Sequence, residues 1–222
     1  MRNINDILAK SEGTSLVQHL KEVAQLAVVL AKYMGLDEYI AYTGAILHDI
    51  GKVSPLFQQT LESNYIRKQG FVFRHEIASL FFLSLVSEKE KSSVIDMIVA
   101  HHKSIYKDVG DKGILDLVEN DPDCLKKHLD GFEEWQDEAF RILEELGVET
   151  KPISRQQAED SFWEVVDYCE SMQYGYSKWK GVLIAADHLA SALNGKTPDL
   201  VNRLFILPDV SYYNSRQNDL YA

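Results

Sequence analysis

Apolar residues recur at helical spacing along most of the chain, and no segment alternates as a half-buried strand would. Leu16, Leu20, Val23, Ala27, Leu30 and Met34 form one stripe, with Ser15 placed to cap its start and Gly35 just past its end. That pattern predicts a helix over 16–34. His19 sits beside Leu20 on the stripe and so faces inward. A second helix is expected from about Asp37 to Ile50, with Asp37 near its start and Gly51 where a left-handed cap falls. His48 and Asp49 then lie in its last turn. Further helices are expected over 76–87, 91–102, 161–174 and 178–193.

Between Tyr106 and Thr150 the chain turns acidic and less apolar, punctuated by Gly110, Gly113, Gly131, Gly147 and Asp121-Pro122. Phe132, Trp135, Phe140, Leu143 and Leu146 still keep a helical stripe there, so this stretch reads as an ordered insertion. The expected organisation is one domain over 1–222, with its core at about 14–105 and 155–195, the insertion at about 106–150, and a polar tail over 208–222 that is either a terminus or a lead into another domain. The 222 residues and the 45% apolar content suffice for one sizeable core.

The longest uncharged apolar stretches are too short for a membrane span, and the N-terminus has no signal-peptide pattern, so a cytoplasmic location without a membrane partner is expected. Cys124 and Cys169 form no CxxC pair and read as reduced packing residues. A net charge of -11 argues against a broad basic surface for nucleic acid. Two divalent ions would add four positive charges where a phosphate binds, and a partner could supply the remaining basic track.

Chemistry enters through the histidines. Five of the seven, His19, His48, His75, His101 and His102, fall in short separated motifs with Asp49 and Asp187. Neutral imidazoles and carboxylates hold divalent ions, which polarise phosphoryl oxygens and lower the pKa of bound water. Adjacent helical residues point about 100° apart, so His48 and Asp49 do not chelate one ion as an i, i+4 pair does. They can serve neighbouring ions, with the Asp49 carboxylate bridging two metals roughly 3.5 to 4 Å apart. His101 and His102 both point inward only near a helix end. Taken singly, His19 on an apolar stripe reads more often as a hydrogen-bonded core histidine than as a ligand, and His75 reads also as a helix-start residue. Asp187 in an apolar helix requires a partner, because a buried lone carboxylate is costly. His128 and His188 are set aside as surface or packing residues. Five imidazoles against two carboxylates favour Mn, Fe, Co, Ni or Zn over Mg or Ca.

The run Ala45-Ile-Leu-His48-Asp49-Ile-Gly-Lys52, with a histidine upstream and an aspartate downstream, resembles the HD phosphohydrolase superfamily. The continuation to Phe57-Gln58, the motif Arg74-His75-Glu76, the tandem His101-His102 and the run Ala185-Ala-Asp187-His-Leu-Ala-Ser191 are similar to the HD nuclease of type I CRISPR systems, over about residues 14–195. The resemblance implies an all-α HD-domain helical bundle. It implies one metal held by His19, His48, Asp49 and Asp187, and a second held by Asp49, His75, His101 and His102, the ions being Fe, Mn, Ni or Co before Mg or Zn. Asp49 and Lys52 are the implied catalytic residues. Lys52 is placed to contact the scissile phosphate, although a helix C-terminus favours such a cation by itself. Ser191 either contacts substrate, orients Asp187, or is a small residue at a helix contact. The implied activity is metal-dependent endonucleolytic cleavage of single-stranded DNA in antiviral defence, with a helicase domain or subunit and a CRISPR surveillance complex as partners. Two alternatives remain open: an HD nucleotide phosphohydrolase acting on a small phosphate ester, and an inactive metal-stabilised docking module.

Overall fold

Local capping chemistry starts the first two helices of the computed structural model, which describes residues 2–62, 72–100, 113–115, 118, 121, 123–172, 177–193 and 197. In α1 (Leu16–Tyr33) the Ser15 hydroxyl accepts the Gln18 N–H. In α2 (Glu38–Leu47) the Asp37 carboxylate accepts the N–H groups of Tyr39 and Ile40, satisfying donors that a helix start leaves without an internal partner. Among the described residues there is no strand beyond an isolated bridge between Leu8 and Ser15. The all-α expectation holds.

Helix α2 ends sooner than its pattern predicts. Asp49 leaves helical geometry at φ -116° and ψ 5°, and a 3-10 turn follows over Ile50–Val53. Gly51 is not among the positive-φ glycines, so it is no left-handed cap. The short α3 (Pro55–Thr60), which the apolar pattern does not announce, begins with proline at its first position and the Ser54 hydroxyl accepting the Leu56 N–H.

The stretch expected as one helix over 76–87 divides into α4 (His75–Leu80) and a 3-10 turn over Leu83–Leu85. The division lets consecutive rings, Phe81 and Phe82, both bury fully. Their centroids lie 5.4 and 5.9 Å from that of Phe132, within the range of favourable edge-to-face packing. Helix α5 covers Glu88–Ala100; the expected continuation to 102 lies outside the described residues. Then come α6 (Cys124–His128), α7 (Phe132–Glu145), α8 (Arg155–Ser171) and α9 (Lys178–Leu193). Helix α8 starts earlier than 161 because Ser154 and Gln157 form a reciprocal capping box.

Helix α1 packs on α2 and α9, and α5 packs on the same two helices. These four surround the inward-facing histidine and aspartates. The acidic stretch carries α6 and α7, and Phe132, Trp135, Phe140 and Leu143 on α7 are buried in the same core as the rest of the chain. It therefore closes the core from one side and does not stand apart from it. The N-terminal arm is tied to α7, with Arg2 Nη2 2.7 Å from Glu138 Oε2. No helix among the described residues is long and apolar enough to cross a membrane. Burial pushes the free thiols of Cys124 and Cys169 up to about 11 and about 12, which leaves both unreactive at neutral pH.

His128 departs from the surface role given to it above as one option. It is buried, and burial lowers its pKa from 6.5 to about 4 against the opposing effect of a hydrogen bond to the Cys124 carbonyl. On acidification the unfolded chain takes up the proton first, so stability falls as pH drops from about 6.5 to about 4. The loss expected from this residue is about 3 kcal/mol. Urea unfolding in chelator across that range, compared with His128→Gln, checks it: the variant should lack this part of the slope.

Candidate metal centre

The departure from helix at Asp49 turns its carboxylate back toward the imidazole before it. His48 Nε2 lies 3.3 Å from Asp49 Oδ2, and His19 Nε2, brought in by α1, lies 3.2 Å from the same oxygen. Ligand atoms of His19, His48 and Asp49 all fall within 4.8 Å of one another. Two neighbouring residues that a continuous helix would splay apart can thus reach one ion, which corrects the helical argument made from sequence. Asp187 on α9 meets the same His19 nitrogen, with Oδ1 3.3 Å from Nε2. The other oxygen of Asp49 faces a different histidine: His75 Nε2 lies 3.0 Å from Oδ1. His101 and His102 lie outside the described residues.

His48 carries the best test of whether this set fits a metal. Its Nδ1 lies 2.6 Å from the Ala45 carbonyl oxygen, which can only accept, so Nδ1 bears a proton. In the neutral ring the Nε2 lone pair then faces an anionic oxygen 3.3 Å away. That juxtaposition is repulsive unless a proton or a cation lies between them, and an imidazole oriented through Nδ1–H is the usual form of a metal ligand. The donor set of buried imidazole nitrogens around a shared carboxylate fits a divalent transition ion.

Electrostatics agree. Burial pushes the His19 pKa down, but hydrogen bonds to Asp187 and Asp49 outweigh it and hold the imidazole above its ordinary value. Burial would raise Asp187, yet the hydrogen bond from His19 and the nearby His48 hold its carboxyl well below the usual range. Asp187 is thus kept ionised, as a ligand carboxylate must be.

Lys52 Nζ lies 2.6 Å from Asp49 Oδ2 and 5.7 Å from the centre of the Phe57 ring. Its ammonium is therefore at the centre and not on the outer surface of a helix end. Ser191 is exposed, one turn from Asp187, with Oγ 3.4 Å from Asp187 Oδ1. His188 is exposed.

Three residues that build the centre have no chemical signature in the sequence. A Cβ on Gly51 would stand 2.1 Å from the His75 carbonyl oxygen and 2.7 Å from Ser79 N, so only glycine lets α4 lie directly on the turn after Asp49. Ser79, fully buried, accepts the Gly51 N–H and donates to the His48 carbonyl, both at 2.9 Å. Ser79→Ala leaves that buried donor and acceptor without their partner and should cost about 2–3 kcal/mol in urea unfolding. Asp96 on α5 accepts from Tyr168 on α8 at 2.7 Å and from Ser177 just before α9 at 2.5 Å. It fixes the start of the helix that carries Asp187.

Helices that gather buried imidazoles around one shared aspartate form the centre of a helical hydrolase domain of the metal-binding kind. A profile described as the HD domain matches residues 16–135, more than half of the chain, and the chain belongs to that family. Ribonuclease Y of Chlorobium phaeobacteroides is 33% identical over 96 residues, 43% of this chain and 15% of that protein. Ribonuclease Y of Enterococcus faecalis is 33% identical over 95 residues, with the same two shares, and that of Helicobacter pylori 35% identical over 92 residues, 41% and 15%. The chain thus aligns with only about 15% of the length of these curated relatives. They are ribonucleases by name and add nothing to the narrower CRISPR resemblance. No solved structure matches.

Proposed function

We propose that the chain is a metal-dependent phosphodiesterase that cleaves single-stranded nucleic acid. The observation that carries this reading is the division of Asp49, with Oδ2 turned to His19 and His48 and Oδ1 turned to His75. In this proposal His19, His48, Asp49 and Asp187 hold one ion, and Asp49, His75, His101 and His102 hold a second. Bound divalent ions supply Lewis acidity toward a phosphoryl oxygen and a water of lowered pKa. Asp187 holds and orients His19, the Ala45 carbonyl orients His48, and Lys52 brings a positive charge to where a phosphate would sit. Ser191 at the exposed edge is placed to orient Asp187 or meet substrate.

For the substrate we take single-stranded DNA, as the degradative module of a type I CRISPR system supplied by a helicase and a surveillance complex. The support is the motif set of Arg74-His75-Glu76, His101-His102 and Ala185 to Ser191. A net charge of -11 suits a domain whose strand is delivered by another. Cleavage of RNA is the second reading, favoured by relatives named ribonuclease Y. End-labelled single-stranded DNA, matched RNA and a mononucleotide panel, each with Mn, Fe, Co or Ni, decide between them. Preferential loss of the DNA strand is expected. Cleavage of RNA alone would move the assignment to a ribonuclease, and turnover of mononucleotides alone to a small-molecule phosphohydrolase.

A further inference from the structure

One side chain connects the acidic stretch to the metal centre. His128, the last residue of α6, is 1% exposed. Its Nδ1–H donates to the Cys124 carbonyl at 2.7 Å, which sets the tautomer and leaves Nε2 as an acceptor. That nitrogen accepts the backbone N–H of Arg74 at 2.9 Å. The ring lies 4.9 Å from that of Phe73, so it touches both residues that lead into His75.

Arg74 is the cap residue of α4 and makes no side-chain cap bond. Its N–H is one of the donors that a helix start cannot satisfy internally. Helix α4 has six residues, too few to hold an orientation by its own hydrogen bonds. It is anchored at Ser79, on the turn after Asp49, and at Arg74, on His128. His75 lies between the two anchors, with Nε2 3.0 Å from Asp49 Oδ1.

We propose that His128 is a positioning residue for the metal centre: through the Arg74 N–H it sets the angle at which His75 meets Asp49. It touches no substrate and no metal. The proposal rests on the two-ion reading above for its functional meaning, and its geometric content is measurable without metal.

The test uses the full chain, labelled with ¹³C and ¹⁵N at histidine, as wild type, His128→Leu and His128→Gln. Leucine removes the acceptor, while the glutamine carboxamide oxygen can reach the Nε2 position. In chelator, the His75 imidazole resonances should move in His128→Leu and return toward wild type in His128→Gln, with those of His19 and His48 unchanged in both. Cobalt is then added and binding followed by visible absorption and equilibrium dialysis. His128→Leu should weaken one of two ions about tenfold, the glutamine variant should recover most of that loss, and His128→Leu added to His75→Ala should weaken binding no further. An unmoved His75 resonance, equal weakening of both ions, or a full effect of His128→Leu in the His75→Ala background would overturn the proposal. Wild-type protein that binds no cobalt while the His75 resonance still responds would overturn the metal reading and leave the positioning role standing.

Discussion

Asp49→Ala should abolish hydrolysis, with a loss on the order of 10³-fold or more, since it removes the one group shared by both halves of the centre. Both Asp49 oxygens are engaged, one by His19, His48 and Lys52 and the other by His75. No other described carboxylate meets both halves in these contacts: Asp187 reaches the centre at His19 Nε2, 3.3 Å away, and Glu76 Oε2 lies 3.9 Å from His75 Nδ1. The loss should appear in kcat and in metal stoichiometry together. Asp49→Asn, which preserves shape but not charge, should be nearly as inactive while keeping its far-ultraviolet circular dichroism. Activity of either variant within tenfold of wild type, assayed with saturating Mn or Co, would remove Asp49 from the role of shared ligand.

The second large effect belongs to a residue with no side chain. Gly51→Ala should destabilise the protein by about 3 kcal/mol or more and uncouple His75 from Asp49, because the added methyl meets backbone and not a side chain that can swing away. The clash is with the His75 carbonyl and Ser79 N, the part of α4 that Ser79 clamps to this turn. Relief requires α4 to move outward, carrying His75 with it. Urea unfolding and metal titration should therefore shift together. Gly147→Ala serves as the comparison: that glycine has a φ of +77° with nothing near its missing Cβ, so alanine there strains the backbone without touching the centre. If Gly51→Ala changed stability no more than Gly147→Ala and left metal binding intact, the close approach would not be what the site depends on.

Much of the architecture was legible because it is local. Ser15 and Asp37 announce their helices through bonds to amides two or three residues on, and the apolar stripes of α1 and α7 show which faces are buried. The features that the local pattern does not announce are non-local. Gly51 reads as a cap when only its own segment is considered; its actual reason is an α4 backbone 24 to 28 residues further along. The break after Leu80 reflects the edge-to-face packing of Phe81 and Phe82 on Phe132, which no period within that segment can report. His128 sits among charged neighbours, and its partner, Arg74, is 54 residues away.

The same division runs through the candidate site. Residue chemistry picked out His19, His48, Asp49, His75, His101, His102 and Asp187 as a set, because imidazoles and carboxylates recur at apolar faces of separate helices; the first four and Asp187 lie among the described residues. Spacing could not say how they meet. On a continuous helix His48 and Asp49 diverge; in the folded chain they converge because the helix stops at Leu47 and Asp49 turns back. That turn is held by Ser79 and permitted by Gly51, contacts made only when distant segments pack. Ligand identity is a property of single side chains, whereas the sharing of Asp49 between two sides of the centre is a property of the packing of α1, α2, α4 and α9 around it.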